Sequence, residues 1–600
     1  MLSGSPNMLS GELPGSSDSS MRSKRRKGGW VTFPFIIGSS GLLCLAAYGS
    51  VANLIVYLVQ QFNVSRIAAV QIFNIVNGCG AIAPLVGGII SDSAAGCFSV
   101  ILAASVISFL VRSYPSCNFF TNMQEELTAR CESASIEVQF DDENLYKTMP
   151  MMAMRLAMMY LGLVPMTLTA ILQSLRRPPC TSSSNSCKSP STFQYAILYI
   201  SLALVSVGIG GSRYTMATFG ANQFDDPKRQ ETFINWFFIA LYVAMILAST
   251  VVVFVQDTVG WAWGYGTCLA ANVISIVIFL IGKWHYKEVK PQGSPFTGIA
   301  RVVIAAIRKR KLALSTNVSD YFYEDDQMNS KQMCQVTSNC LNRAAIVTEG
   351  DTNSDGSLAK PWRLCTTQQV EDLKTLISIL SIWSSSIFLC TPIGVQSSLA
   401  VLQALTMDRH LGAHFKIPAS SFPVFVLLAA AIFIPFLDHV VYPVCHKLLR
   451  WSPTLLHRIG VGHVLNITAM VASALVEARR LHIAHDHNLT NQKDYATVHM
   501  SAIWLAAPLV ITGAGEACHL PGQVSLYYEE FPTSLKGTAT AMMSVLVAIA
   551  YYLSAAIVNA VKKSTVWLPN DINQGRMDNV FWMLVVVQTL NFCYYILCAK

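Results

Sequence analysis

Eleven separate runs of about twenty apolar residues, each long enough to cross a bilayer as a helix, constrain this chain more than any other feature. They fall near residues 33–58, 67–90, 194–218, 233–255, 262–282, 375–400, 420–442, 459–478, 500–527, 534–561 and 579–599. In hydrocarbon each backbone N–H and C=O must be satisfied within its own segment, so such a run reads as a helix. Charge agrees, because only 13% of the 600 residues are charged, against roughly a quarter in a soluble domain. The expected fold class is an all-α polytopic membrane protein. Further apolar material at 97–112 and 150–174 is separated by the polar stretch "RSYPSCNFFTNMQEELTARCESASIEVQFDDENLYKTMP". Taken together these two pieces give one span or two; counted as one, they bring the total to twelve.

Lys and Arg set the expected orientation. Lys24, Arg25, Arg26 and Lys27 precede the first span, and the long segment 283–371 carries Lys283, Lys287, Lys290, Arg301 and the run Arg308-Lys309-Arg310-Lys311. An even number of spans separates them, so the tail 1–32 and the loop 283–371 both belong on the cytoplasmic face. Within the loop, "GIARVVIAAIRKRKLAL" has the pattern of a basic amphipathic helix, suited to an inner leaflet or to a solvated linker. Asn63 and Asn488 head N-x-S/T patterns in loops expected outside, where glycosylation is chemically available. Asn317 heads the same pattern in the cytoplasmic loop, which shows how little the pattern alone decides. Cys180 and Cys187 flank a Ser-rich loop on the expected outer side, where a disulfide is chemically allowed. The sixteen cysteines otherwise lie mostly in apolar runs and form no paired CxxC array, so no metal site is expected. The net charge of +8 comes with no basic–aromatic surface for nucleic acid.

Deep charges are scarce, and an intramembrane charge is by default a functional candidate. In "GIGGSRYTMATFGANQF", Gly208, Gly210 and Gly211 thin one helix face and Arg213 follows inside the same span. In "ITGAGEACHLPG", Glu516 has the small neighbours Gly513, Ala514 and Gly515, which leave room for another helix or for a substrate. A carboxylate there can pair with Arg213 or take up a proton when unpaired. His519 stands three residues on, about one turn away, as a second candidate for pH sensing or as an ordinary packing residue. No nucleophile–base set, phosphate loop or carboxylate pair accompanies them, so neither catalysis nor a cofactor is expected.

Longer motifs narrow the reading. Gly88-xxx-Asp92-xxx-Gly96 holds the core of the loop 2–3 signature of the major facilitator superfamily, without the usual following cation. "FGANQFDDPKRQETFINWFF", "VQDTVGWAWGYG", "PWRLCTTQQVEDLK" and "GQVSLYYEEFP…LKGTATAM" together resemble the plant nitrate/peptide transporter family, the plant arm of the proton-dependent oligopeptide transporters. "TPIGVQSSLAVLQALTMDRHLGAHFKIPASS" and "GGSR" are similar to its nitrate excretion branch. The resemblance runs from about Gly28 to the C-terminus and is interrupted only near 112–150, which reads as an insertion breaking the third helix. It implies a major facilitator fold, with six-helix bundles at 33–282 and 372–600 facing each other across a midplane site.

Two departures from the family pattern bear on function. The family's Glu-x-x-Glu-Arg/Lys signature in the first span ends nine residues before the position of Asn53. Here Ser40, Leu43 and Cys44 stand at those positions, so all three ionisable groups held to couple protons are gone. Gly394 occupies the place where some members carry a nitrate-binding His, which leaves the expected anion site on Arg213. With the family pattern the cavity charges sum to −1; here Arg213 and ionised Glu516 sum to 0, and protonation of Glu516 leaves +1. The resemblance therefore implies passage of a small inorganic anion, nitrate or chloride, most naturally efflux at the plasma membrane, with the tonoplast as the other location. The alternatives are a proton-coupled importer of nitrate, peptides or organic solutes such as glucosides, and a non-transporting or defective membrane protein.

Overall fold

A computed structural model describes residues 28–92, 149–176, 190–213, 215–221, 223–287, 295–312, 321–323, 339–348, 350–352, 362–450, 453–489, 497–530 and 536–599. The eleven expected spans are all present as helices long and apolar enough to cross a membrane. The second of the two apolar pieces forms a further helix, Met149–Ile171, whose apolar part Met159–Ile171 is shorter than the other eleven. Residues 97–112 and the insertion expected at 112–150 lie outside the described residues, apart from the helix start at Met149.

In chain order the spanning helices are α1 (Phe33–Ala52, resumed as Leu54–Phe62), α2 (Arg66–Asp92), α3 (Met149–Ile171), α4 (Thr192–Arg213), α5 (Pro227–Leu247) and α6 (Trp261–Gly282). The second set is α7 (Thr367–Leu405), α8 (Val424–Phe436), α9 (Leu455–Asp486), α10 (Ala506–Glu530), α11 (Lys536–Ser564) and α12 (Met577–Cys598). Their ends follow ordinary capping chemistry. Thr366 and Gln369 form a reciprocal capping box that starts α7, and Asp226 accepts from the Lys228 amide at the start of α5; each such cap satisfies donors that the helix leaves open. Helix α8 continues through a π-turn, Leu437–Val441, into Tyr442–Leu449.

Helices α1–α6 pack together with α1 against α5 and α6, and α4 against α2 and α3; in the second half α9 and α8 flank α10, while α7 lies against α11 and α12. Close crossings rest on glycine. A Cβ on Gly208 would sit 2.4 Å from that of Met159, and one on Gly162 would sit 2.6 Å from the Val205 amide nitrogen, so α3 and α4 touch backbone to backbone. Among the described residues the two bundles meet chiefly along α2–α11, with smaller contacts at α2–α7 and α5–α8. Their described polar and aromatic contacts lie in the halves of the helices away from the central loop, hereafter the far side. There Gln71 donates to Asn559 (3.3 Å) and the Tyr552 hydroxyl to Cys79 Sγ (3.2 Å). Arg409 reaches Asp257 at 4.0 Å, and the rings of Phe254 and Phe415 stack at 5.9 Å. Short strands cap this side: His410–Leu411 pairs with Phe415–Lys416, and Met407–Asp408 pairs in parallel with Val498–Ser501. These are small exceptions to an otherwise all-α fold.

The central loop is folded where it is described. The amphipathic helix forms as Pro295–Arg308. Its apolar side (Val302, Ala305, Ala306) is buried against Ala344, Ala345, Cys365 and the start of α7 at Val370 and Leu373. Neither the inner leaflet nor solvent takes that face; the protein does. The following Lys309 is buried, its Nζ donating to Asp351 at 2.8 Å and to the Ile346 carbonyl at 2.6 Å.

Candidate substrate cavity

The three positions left without charge in α1 are all buried. Cys44 Sγ donates to the Leu241 carbonyl of α5 at 3.9 Å, and beside them Ser275 Oγ of α6 donates to the Ser39 carbonyl at 2.7 Å. Leu43 belongs to the main apolar core. One turn on from Cys44, a Cβ on Gly49 would lie 3.0 Å from Cys268 Sγ and from Val252. This face of α1 thus packs on α5 and α6, and Asn53 at its far end breaks the helix with φ −102° and ψ 16°.

Arg213 is the last residue of α4, and the chain resumes a helical course at Thr215–Ala221. Asp92 likewise closes α2. Glu516 lies within α10 and is half-buried, with Cys390 of α7 in its electrostatic surroundings. The glycines beside it are filled by helices. A Cβ on Gly513 would lie 2.4 Å from the Val426 carbonyl of α8, and one on Gly515 would lie 2.8 Å from the Asn466 amide of α9. Of the two uses the sequence left open for those small residues, helix packing is the one realised.

His519 stands apart from Glu516. It is fully buried, with its Cβ 2.8 Å from the Cβ position of Gly462 and its ring edge-on to His463 at 6.3 Å. The i, i+3 spacing suggested a shared face, yet the His519 imidazole is enclosed between α9 and α10, while Glu516 is half-buried as a residue.

Gly394 is tightly constrained. A Cβ there would lie 2.7 Å from Ser554 Oγ of α11, and Ser554 itself donates to the Thr391 carbonyl at 2.7 Å. The α7–α11 approach occupies the space that a side chain would need.

Sequence reading missed a fully buried charge pair on α9. Cutting the ninth span at 478 placed Glu477 at its edge and Arg480 outside it. The helix runs on to Asp486, and both side chains are 0% exposed. Arg480 Nε and Nη2 donate to the two carboxylate oxygens of Glu477 (2.8 and 2.7 Å). Its remaining N–H groups reach Thr406 Oγ1 (3.1 Å), Asn573 Oδ1 (2.6 Å) and the Ile572 carbonyl (3.3 Å), while Gln403 donates to Glu477 at 2.7 Å. The pair is neutral overall and hydrogen-bonded throughout, so it ties α7, α9 and the α11–α12 connection together as a structural node. The i, i+3 spacing of Glu477 and Arg480 was the available signal. Asp438 was overlooked too; it sits in the π-turn of α8, a feature frequent at functional sites.

The expected modification residues divide. Asn63 and Asn488 are both exposed, with left-handed φ of 50° and 51°. Asn63 sits in the short α1–α2 turn, whose Ser65 hydroxyl accepts from the Ala68 amide. Cys180, Cys187 and Asn317 lie outside the described residues.

Two bundles of spanning helices, facing each other and joined through a central loop, define a membrane transporter of major facilitator fold. A solved structure of an auto-inhibited POT family peptide transporter superposes with a TM-score of 0.63 at 16% identity, covering 95% of this chain and 96% of that one. The family model described as "POT family" matches residues 151–575. Two Arabidopsis thaliana proteins are similar over nearly their whole lengths. Protein NRT1/PTR FAMILY 2.7 is 42% identical, covering 97% of this chain and 94% of the relative. Protein NRT1/PTR FAMILY 2.6 is 41% identical, covering 96% and 93%. The chain belongs to the POT family.

Proposed function

We propose that this chain passes small inorganic anions, nitrate or chloride, by alternating access and without obligatory proton symport. One observation carries the reading: the positions that hold ionisable groups in the family's first span are Ser40, Leu43 and Cys44, and all three are packed into the bundle. The deep charges proposed for the cavity are then Arg213 on α4 and Glu516 on α10. Their sum is 0, or +1 when Glu516 is protonated, so an anion meets a neutral or positive cavity rather than a negative one. Arg supplies a planar, permanently charged fork suited to a planar oxyanion.

The basic tail and central loop assign those parts to the cytoplasm. The far side then faces outward, closed by the Arg409–Asp257 and Phe254–Phe415 contacts. Across an inside-negative plasma membrane the electrical driving force on a monoanion points outward, roughly 2.3 kcal/mol per 100 mV. The tonoplast is the alternative location. Glu516 is the proposed pH-sensing group because it is a carboxylate set deep in a spanning helix, with His519 the secondary candidate.

Nitrate and chloride flux into proteoliposomes, with an imposed potential and no proton gradient, tests the reading. Flux is expected; its absence refutes passage without protons. Arg213→Gln should abolish flux, and Glu516→Gln should retain it while flattening its pH dependence. The alternative, proton-coupled import of peptides or other organic solutes, has its support in the solved peptide transporter of the same fold. It predicts that solute uptake acidifies the lumen. Normal flux from the full chain excludes a non-transporting scaffold.

A further inference from the structure

Along the far-side half of α2 and α11 the contacts between the bundles recur at one interval. Gln71 donates to Asn559. Seven residues deeper on both helices, a Cβ on Gly78 would sit 2.9 Å from Cε1 of the Tyr552 ring, and the Tyr552 hydroxyl donates to Cys79 Sγ at 3.2 Å. That interval is close to two helical turns, about 10 Å of helix length. The contacts therefore share one side of each helix and form an antiparallel seam, with the Tyr552 ring seated on a glycine.

Asn74 lies three residues after Gln71 and four before Gly78, which puts it on the same side of α2. It is 0% exposed, and neither its amide nitrogen nor its carbonyl oxygen has a hydrogen-bond partner among the described residues. The matching stretch of α11 does not supply one. Between Tyr552 and Asn559 the polar side chain is Ser554, whose hydroxyl is engaged with the Thr391 and Ala550 carbonyls. A carboxamide sealed in this way gives up its water and gains no partner. That cost is present while the seam is closed and vanishes when the bundles part and water reaches the side chain.

We propose that the α2–α11 seam belongs to the outer closure and that Asn74 is its built-in release, an unpaired amide that keeps the closed form weak enough to reopen. The proposal rests on the alternating-access part of the function proposed above, and not on which solute is carried.

The test follows Cys79, whose half-buried thiol lies in the seam. The detergent-solubilised full chain is treated with a charged, water-soluble maleimide. Peptide mass spectrometry reads the rate of modification at Cys79, with the denatured chain as reference. Asn74→Leu keeps a branched side chain of similar size without the polar atoms, and it should slow modification about tenfold. Asn74→Asp keeps the shape and adds a charge that burial penalises more heavily, so it should speed modification about tenfold. A wild-type or faster rate in Asn74→Leu overturns the proposal, and would mean that a buried water already satisfies the amide. An unchanged rate in Asn74→Asp overturns it as well. Should Asn74→Leu fail to fold, Asn74→Asp decides alone, a faster rate supporting the release and the wild-type rate refuting it. Modification is read without any flux, so failure of nitrate or chloride passage leaves this result standing and the two failures are told apart.

Discussion

Replacing Arg480 with Met should cost this protein more stability than any exposed charge removal. The guanidinium donates two hydrogen bonds to Glu477 and three more to Thr406, Asn573 and the Ile572 carbonyl. Met fills much of the volume but strands the Glu477 carboxylate at 0% exposure with Gln403 as its remaining donor. Breaking a buried pair from one side costs about 3–5 kcal/mol, because the other charge is left uncompensated. That corresponds to about two to four orders of magnitude in the folding equilibrium. Adding Glu477→Gln removes the stranded charge, so Glu477→Gln/Arg480→Met should recover a large part of the loss, on the order of 2 kcal/mol. The folded fraction in mixed micelles, titrated with a denaturing detergent, measures both quantities in a double-mutant cycle. If Arg480→Met shifts stability by no more than about 0.5 kcal/mol, as an inert surface substitution would, the node is not structural. If the two single effects simply add, the residues are not coupled.

Gly394→Ala should destabilise by about 1–3 kcal/mol through overpacking against Ser554, and Ser554→Gly should relieve it; retained thermal stability in Gly394→Ala alone would refute the tight α7–α11 approach. Asp257→Asn should change stability by less than about 1 kcal/mol, since its pair with Arg409 is long and partly exposed; a larger loss in thermal unfolding would refute that assignment. The central-loop pair should respond to acid. Burial alone would raise the Asp351 carboxyl, but its hydrogen bonds from Lys309 and Thr348 outweigh burial and hold it below the usual carboxylate range. A depressed acid contributes stability that is full above about pH 4 and fades as pH falls through its folded value. Protease resistance of the loop should therefore persist at neutral and mildly acidic pH and fall below about pH 4; Asp351→Asn should remove that step.

The spans were legible because each is dictated by its own composition: a bilayer leaves a twenty-residue apolar run little choice but to be helical. What stayed hidden depended on partners far apart in sequence. Nothing local in "RVVIAAI" says that Val302 and Ala305 will meet Ala344 and Val370 instead of lipid. Arg480 was lost for a related reason, because a hydropathy window discards charges at a helix end without knowing that Thr406 and Asn573 will satisfy them. At the candidate cavity, the unusual residues Arg213, Glu516 and Gly394 could be picked out singly. That Gly394 is blocked by Ser554, and that His519 turns to His463, needed the helices to be placed.

Beyond Leu247 the helical course of α5 continues through π-turns at Ala248–Val252 and Val255–Val259 and meets α6 at a single residue, Gly260, whose φ of 137° a side-chain-bearing residue adopts only with strain. Asp257 and Phe254 stand within two turns of that joint, so the first bundle's half of the outer contact is cast in one piece with both helices. The opposing half, Arg409 and Phe415, hangs on a strand hairpin turned by Gly412. One jaw is an anvil and the other a spring. Label or epitope insertions should therefore be tolerated at the hairpin turn and not at Gly260, and any local give in the outer contact lies with the second bundle's loop.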